Sequence, residues 1–161
     1  MQLSLGQILA LLGAAISVFL SGMGSSKGVG IAGETNAGVS AETPEINSKL
    51  LVLQLLPATQ GIYGFLVAVI VLIKVGVLGG TMSAVSEMQG LAFIVGCLPV
   101  GIVGYFSAIA QGKVSAASML MTGQHPEMSG KGITMTVMVE TYAVLALLVS
   151  FLVVNSINLL G

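Results

Sequence analysis

The segment MVETY (residues 138–142) stands in the middle of a long apolar run, ITMTVMVETYAVLALLVSFLVV, that occupies residues 133–154. The run is long enough to cross about 30 Å of hydrocarbon as a helix. Glu140 is its single charged residue. A carboxylate at that depth costs roughly 2.5 kcal/mol or more on insertion scales, so it is normally protonated, paired or bound to a cation. Glu140 is therefore predicted to be a functional site.

The composition is that of an integral membrane protein. Of the 161 residues, 55% are hydrophobic and 7% are charged, whereas a soluble domain carries about 25% charged residues. A net charge of -1 excludes a nucleic-acid-binding protein that relies on a basic patch. The single cysteine, Cys97, cannot form an internal disulfide, and the sequence contains no nucleophile–base set or metal motif. We therefore expect one compact membrane unit that is not an enzyme by itself.

Four apolar segments are each long enough to span a bilayer as a helix. They occupy residues 3–23, 50–73, 90–111 and 133–155, and the first and third are expected to stay helical to about residues 38 and 121. Short turns at 40–45, 79–83 and 122–127 join them, and Pro44 can start the second helix. The predicted fold is an all-α membrane protein of four transmembrane helices. These form two fused, duplicated hairpins, residues 1–80 and 81–161.

The lysines predict the orientation in the membrane. Four of the five basic residues flank the first and third connections: Lys27, Lys49, Lys113 and Lys131. Because cytoplasmic loops carry an excess of Lys and Arg, the loops near 40–48 and 122–130 are expected in the cytoplasm. Both termini are then outside.

An internal repeat relates the two halves. Residues 21–32, SGMGSSKGVGIA, align with residues 107–118, SAIAQGKVSAAS, at an offset of 86. Small residues recur every four positions in both, as in Gly22-Ser26-Gly30, which places them on one helix face. In the second and fourth segments Gln60 aligns, less strongly, with Glu140. A tightly packed ring and ordinary membrane packing both fit such stripes, and the sequence leaves both open.

The second segment carries polar residues on one helix face. Leu56, Thr59, Gln60 and Tyr63 are spaced so that they lie together near mid-membrane. Pro57 removes a backbone donor, and the carbonyl four residues before it, that of Leu53, is expected to turn toward a ligand. A plain helix kink is the competing explanation for the proline.

Neutral oxygens on this face, together with Gln111 of the third segment, can surround Glu140. Such a cage has one negative charge, which suits a hard monovalent cation, and a proton would not require so many oxygens. The sequence therefore favours Na⁺ over H⁺, although each amide or hydroxyl taken singly is better explained by hydrogen bonding between helices. Hydropathy places Gln111 near the end of the third span, so it is a ligand only if that helix is shifted along its axis.

Three motifs resemble a known family. LQLLPATQGIYGF (53–65), IAQGKV (109–114) and MVETYA (138–143) are similar to segments of the proteolipid (the K or c subunit) of bacterial V-type ATPases, especially the sodium-transporting kind. The resemblance covers nearly the whole chain. It implies a rotor ring of identical subunits in the bacterial cell membrane, and it favours the shifted third helix.

The resemblance also implies the composition of the site. Na⁺ would be bound by the Thr59 hydroxyl, the side-chain oxygens of Gln60 and Gln111, the Glu140 carboxylate and the Leu56 backbone carbonyl. The last of these replaces the Leu53 carbonyl suggested by the position of the proline. Tyr63 would donate a hydrogen bond to Glu140 and help close the site.

The same resemblance implies a mechanism and partners. Glu140 would take up an ion through a stator subunit that has an essential arginine, and the neutralised site would face membrane lipid as the ring rotates. Central stalk subunits at the cytoplasmic loops would couple rotation to ATP hydrolysis or synthesis in a soluble head. The nearest alternative is the same ring carrying H⁺. A small multidrug antiporter is a weaker alternative, because such proteins place the acid in the first helix and lack the duplication.

Overall fold

The computed structural model describes residues 3–159, and these residues form helices joined by short turns. The helices are α1 (Leu5–Glu42), α2 (Asn47–Leu55), α3 (Thr59–Lys74), α4 (Glu87–Gln124) and α5 (Ser129–Ser156). A 3₁₀ turn at Leu56–Ala58 joins α2 to α3, so these two helices make one span. The described residues thus contain four helical spans that are long and apolar enough to cross a membrane, which confirms the predicted fold class.

The two halves begin in the same way. Ser4 caps α1 by accepting a hydrogen bond from the Gln7 backbone, and the Gln7 side chain accepts one from the Ser4 backbone. Ser86 and Gln89 form the same capping box at the start of α4. A capping box satisfies backbone donors that a helix start leaves free, so each half specifies its own first residue.

The two halves also turn in the same way. Pro44 and Pro126 each begin a 3₁₀ turn, and the residues before them have nearly the same backbone angles, φ -134° and ψ 72° at Thr43 and φ -136° and ψ 81° at His125. These prolines, like the caps Ser4 and Ser86, are 82 positions apart. The predicted offset of 86 is therefore wrong by one helical turn. Residues four apart share a helix face, so a stripe of small residues aligns nearly as well one turn further along.

Helices α1 and α4 run parallel and pack along their length. A Cβ added to Gly24 would overlap the Tyr105 backbone, and one added to Gly112 would overlap the Gly28 backbone. Such contacts let two backbones approach more closely than larger side chains would allow. Of the two stripes predicted to pack, the one on α4, which includes Gly112, lies in this contact. The one on α1, which includes Gly22 and Gly30, lies away from it, because a Cβ there would meet nothing within 4 Å.

Helices α3 and α5 form a second layer over this pair. Gly64 of α3 lies against Ser17 and Ser21 of α1, and the Ser17 hydroxyl donates to the Gly64 carbonyl over 3.1 Å. Helix α5 packs on α4, where Ser150 Oγ accepts from the Val100 backbone over 3.0 Å. Because α3 and α5 also contact each other, the second and fourth spans meet above α4.

The connection between the halves depends on two glycines. Gly76 and Gly80 have φ angles of 82° and 78°, in the left-handed region that favours glycine. The Ser83 backbone then donates to the Val75 carbonyl over 2.9 Å, and Gln7 Nε2 donates to the Ser83 carbonyl over 3.0 Å. This turn returns the chain to the start of α1, which sets the parallel register of α1 and α4.

Candidate ion-binding site

The second span is interrupted at the depth of the polar residues. Pro57 is buried in the turn between α2 and α3 and has no N–H to donate to the Leu53 carbonyl. Ser115 Oγ of α4 donates to that carbonyl over 2.5 Å instead. On the other side of the turn, the Gly61 backbone donates to Ser25 Oγ of α1 over 2.7 Å. Side chains of α1 and α4 therefore provide hydrogen-bond partners for backbone groups on both sides of the turn.

The carbonyls near Pro57 differ in their surroundings. The Leu53 carbonyl is engaged by Ser115, so it points into the α4 contact. The Leu56 carbonyl accepts from Thr59 Oγ1 over 2.9 Å and so lies beside the polar face. Of the two carbonyls considered in the sequence, that of Leu56 is the one next to the Thr59 side chain.

Glu140 is partly buried on α5 and contacts two other helices. Tyr63 of α3 donates its hydroxyl to Glu140 Oε1 over 2.5 Å. Gln111 of α4 donates from Nε2 to Glu140 Oε2 over 3.3 Å. Within residues 3–159 no basic side chain forms an ion pair with Glu140. The carboxylate is therefore surrounded by neutral groups.

The two glutamines extend this network into the core. Gln60 and Gln111 are both 0% exposed, and Gln60 Nε2 donates to Gln111 Oε1 over 2.6 Å. Thr59 Oγ1 lies 3.3 Å from Gln60 Oε1. Hydrogen bonds thus link all the residues that the sequence singled out, in the order Leu56, Thr59, Gln60, Gln111, Glu140 and Tyr63.

The depth of Gln111 follows from the length of α4. Helix α4 has 38 residues and is about 57 Å long, nearly twice the thickness of the hydrocarbon. It continues beyond Gln111 to Gln124, so Gln111 lies well inside the helix. The sequence placed the end of the third span at Gln111 because Lys113 lowers the average hydropathy of the residues that follow. The contact with Glu140 puts both residues at one depth.

Three neighbouring groups were not anticipated. Ser107 Oγ lies 3.4 Å from Gln60 Nε2 and donates to the Val139 carbonyl over 3.2 Å. The Thr136 carbonyl accepts from Gln111 Nε2 over 3.1 Å. Ser107 and Thr136 precede Gln111 and Glu140 by four residues, a spacing that could have indicated them. No spacing in the sequence relates Ser115 to Pro57, because Ser115 lies on another helix and donates to the Leu53 carbonyl that the proline leaves free.

The carboxylate is accessible from one side. Val137, Thr141, Val144 and Leu145 surround Glu140 in an open groove of about 390 Å³ on the outer face of α5. The amides lie on the opposite, buried side. One negative charge among neutral donors and acceptors can be balanced by one monovalent cation or one proton. The site can thus hold a small ion beside an apolar surface.

Fold and site together define a polytopic membrane protein built from a duplicated helical hairpin around one intramembrane carboxylate. The family model of the ATP synthase C subunit matches residues 12–71 and 94–153. The chain belongs to this family. The two matches begin 82 positions apart, the interval that separates the two capping boxes.

Two relatives carry the same subunit letter. The V-type sodium ATPase subunit K of Enterococcus hirae is 45% identical to this chain, over 92% of each protein. The A-type ATP synthase subunit K of Methanocaldococcus jannaschii is 37% identical over 90% of this chain and 61% of its own length. The resemblance to a K-type proteolipid, first found in three motifs, is confirmed over most of the chain.

Proposed function

We propose that this chain is a rotor-ring subunit of a V-type ATPase or synthase that binds Na⁺ at Glu140 and carries it across the membrane as the ring turns. The family implies a ring of identical subunits within a rotary ATPase. The observation that carries the choice of site is the Glu140 carboxylate, which no basic residue of the described chain neutralises and which neutral groups of two other helices contact. The name of the Enterococcus hirae relative supports sodium.

The proposed ligands are the Glu140 carboxylate, the side-chain oxygens of Gln111, Gln60 and Thr59, and the Leu56 carbonyl. A terminal amide carries its donor and acceptor on the same carbon, so rotation about the last bond exchanges them. Gln111 Nε2, which contacts Glu140, can thereby be replaced by Oε1, which could bind a cation shared with the carboxylate. Tyr63 would close the site through its hydrogen bond to Glu140.

The mechanism follows from the cost of a bare carboxylate in lipid. Glu140 opens onto an apolar groove, so the site can face hydrocarbon only when its charge is neutralised. An ion that enters through the stator subunit would supply this neutralisation. An essential stator arginine would pair with the carboxylate and release the ion to the other side. The alternative ion, H⁺, would neutralise Glu140 in the same way.

The remaining partners follow from the proposed orientation. With the loops near 40–48 and 122–130 in the cytoplasm and both termini outside, the central stalk subunits would bind at those loops. Rotation would then be coupled to ATP hydrolysis or synthesis in the soluble head, while this chain itself performs no nucleotide chemistry. Each hairpin, residues 1–80 and 81–161, would be one of the two duplicated units in a bacterial cell membrane.

Carbodiimide modification of Glu140 tests the proposal. The intact ring in detergent is treated with a hydrophobic carbodiimide at fixed pH while Na⁺ or K⁺ is titrated, and the modified residue is identified by mass spectrometry. Protection by Na⁺ but not by K⁺ is expected. The Glu140→Gln variant shows whether modification occurs at this residue, and the exposed Glu127 reports any general effect of salt.

The other outcomes decide against the proposal in different ways. Modification that responds to pH and ignores Na⁺ would make the chain a proton carrier. No modification of Glu140 at any pH would remove this residue from the mechanism.

A further inference from the structure

The hydroxyl of Ser107 joins three helices at the depth of Glu140. Ser21 donates to the carbonyl four residues earlier in its own helix, as helical hydroxyl groups commonly do. Ser107 of α4 instead donates to the Val139 carbonyl of α5 over 3.2 Å and accepts from Gln60 Nε2 of α3 over 3.4 Å. It is buried, with 7% of its surface exposed, and it is not one of the proposed Na⁺ ligands. Its contact with one of those ligands indicates a role in the site.

The contacts of Ser107 fix the orientation of the Gln60 amide. A serine hydroxyl has one hydrogen and two lone pairs. Because the hydrogen goes to the Val139 carbonyl, the oxygen of Ser107 can only accept from Gln60. The Gln60 atom that faces Ser107 must then be the nitrogen, since an amide oxygen in that place would face a lone pair. The reversed amide would require Ser107 to give up its bond to Val139.

This orientation directs the oxygen of Gln60 toward the other proposed ligands. Gln60 Oε1 lies 3.3 Å from Thr59 Oγ1, and Gln60 Nε2 donates to Gln111 Oε1 over 2.6 Å. When the Gln111 amide rotates to share a cation with Glu140, Gln60 Nε2 loses that acceptor. Ser107 Oγ remains as an acceptor for it. A buried amide donor without an acceptor is costly, so Ser107 allows Gln111 to turn while Gln60 keeps its orientation.

The duplication places a second serine beside Gln60. Ser25 of α1 is 82 positions before Ser107, the interval that relates the two halves. Ser25 Oγ accepts from the backbone of Gly61, the residue after Gln60, over 2.7 Å. Both copies of this serine thus contact α3 at one place. Ser25 holds the backbone, and Ser107 holds the side-chain amide.

We infer that Ser107 is a positioning residue of the ion-binding site, which orients the Gln60 amide so that its oxygen faces the cation. The inference rests on the proposed function and adds to it a residue that acts through a ligand. Without the hydroxyl of Ser107, the amide can adopt both orientations. The apparent affinity of a site falls in proportion to the fraction of molecules that are in the binding-competent state. Loss of the hydroxyl therefore weakens Na⁺ binding.

Protection of Glu140 against carbodiimide by Na⁺, measured on the intact ring, tests this role. Ser107→Ala removes the hydroxyl and is expected to need about threefold to tenfold more Na⁺ for half-protection, the effect of about one hydrogen bond. Ser107→Cys fills the position with a thiol, which is only a weak donor and acceptor, and should shift the requirement in the same direction. Native mass spectrometry reports ring assembly for each variant. Half-protection of both variants at the wild-type Na⁺ concentration would overturn the inference.

Ser118→Ala is the matched control for the loss of a contact between α4 and α5. Ser118 is buried on the same helix as Ser107 and donates to the Gly132 carbonyl of α5 over 3.2 Å. It lies about three turns, roughly 16 Å, further along α4. The Na⁺ requirement of Ser118→Ala is expected to equal that of the wild type. An equal shift in Ser118→Ala and Ser107→Ala would make Ser107 a packing contact only and overturn its positioning role.

Combination with Gln60→Ala tests whether Ser107 acts through this amide. In the Gln60→Ala background no amide remains to be oriented, so the further change Ser107→Ala should alter the Na⁺ requirement little. Residues that act through each other give such non-additive effects, whereas independent residues give additive ones. A full shift from Ser107→Ala in both backgrounds would overturn the inference.

The wild-type ring separates this inference from the proposed function. Protection of the wild type by Na⁺, together with an unchanged requirement in Ser107→Ala, would overturn the role of Ser107 and leave the sodium site intact. A wild-type ring that Na⁺ does not protect would overturn the proposed function and the role of Ser107 with it.

Discussion

At the scale of single residues, Glu140 connects three helices through its two oxygens. Oε1 accepts from Tyr63 of α3, and Oε2 accepts from Gln111 of α4. A hydrogen bond to a charged group is worth about 1.5–3 kcal/mol, so each contact is strong enough to affect ion binding by itself. Tyr63 is half-buried and Gln111 is fully buried, so the two contacts differ in their access to the surface.

Tyr63→Phe is expected to weaken Na⁺ binding without removing the site. The substitution deletes the hydroxyl that donates to Glu140 and keeps the aromatic side chain that packs against the buried core. Loss of about 1.5 kcal/mol corresponds to roughly tenfold more Na⁺ for half-protection against carbodiimide. Tyr142→Phe is the control, because Tyr142 is 68% exposed on the same helix as Glu140. Equal protection in both variants would show that Tyr63 does not close the site.

Glu140→Gln is expected to assemble into a ring and to abolish ion-coupled transport. The amide has nearly the shape of the carboxylate and can still accept from Tyr63, but it carries no charge for an ion to balance. Transport by the reconstituted ATPase and ring assembly by native mass spectrometry are measured together. Sodium-dependent turnover in the variant would refute the central role of Glu140.

Thr59→Ala and Gln111→Ala test the neutral part of the site. Each removes one proposed oxygen ligand, and Gln111→Ala also leaves a cavity beside Gln60 in the buried network. Both variants are expected to need severalfold more Na⁺ for protection while the ring remains assembled. Unchanged affinity in both would mean that the proposed ligands are wrong.

Some of these residues could be found from the sequence and others could not. An isolated acid in an apolar run is rare enough to identify Glu140, and helical spacing groups Leu56, Thr59 and Tyr63. Ser107 and Ser115 contact the same region, but small hydroxyl residues are abundant in this chain and pack most of its helices. Their roles depend on which helix lies opposite them. The periodicity of a single helix carries no information about its neighbours.

At the scale of helices, the position of α3 depends on its approach to α1. Gly64 lies against the Ser17 carbonyl and the Ser21 side chain, one position after Tyr63. The Ser17 hydroxyl bonds to the Gly64 carbonyl, which fixes the height of α3 against α1. This close approach helps to set the direction from which Tyr63 reaches Glu140.

Gly64→Ala is expected to destabilise the fold although alanine favours a helix. The added methyl would overlap Ser21 and the Ser17 backbone, and overpacking costs about 1–3 kcal/mol against a gain of about 1 kcal/mol in helix propensity. Gly130→Ala is the control, because a Cβ there meets nothing within 4 Å. Thermal unfolding in detergent should give a lower midpoint for Gly64→Ala and an unchanged or higher one for Gly130→Ala. A higher midpoint for both would show that α3 can move away without cost.

The helices themselves were easier to predict than their ends and their register. Apolar runs identified the four spans, but α1 and α4 continue through residues whose polarity lowers the hydropathy, as at Lys27 and Lys113. The offset of 86 matched small residues one turn from their true partners. The capping boxes at Ser4 and Ser86 would have given the correct interval of 82, since a cap occurs once per helix while a small residue recurs every turn.

At the scale of the whole molecule, α1 and α4 pack against each other and each leaves an apolar face uncovered. Their contact buries glycines of both α1 and α4, yet the equivalent outer faces expose Phe19 and Phe106 by 64% and 67%. Exposed apolar side chains are ordinary in lipid, so their exposure alone indicates no partner. The proposed ring would cover these faces with a second copy, and the small residues Gly22, Ser26 and Gly30 of α1 support this, because their equivalents 82 positions later, Gly104, Ala108 and Gly112, are buried in the contact inside the chain.

Gly30→Leu is expected to prevent ring closure while leaving the single chain folded. A Cβ at Gly30 meets nothing within 4 Å inside the chain, and leucine favours the helix by about 1 kcal/mol over glycine, so the monomer should be at least as helical. In the proposed ring Gly30 would face the next copy, and its equivalent in the second half, Gly112, is in backbone contact with Gly28 inside the chain. A leucine side chain does not fit there.

Native mass spectrometry of the purified protein should therefore show a loss of rings in favour of monomers and open oligomers. Gly130→Leu is the matched control, since Gly130 is a helical glycine with equally open surroundings but lies on α5 and not on α1. Circular dichroism of both variants separates a failure to assemble from a failure to fold. Full-sized rings from Gly30→Leu, in the same yield as from Gly130→Leu, would place the contact between copies on another face of α1.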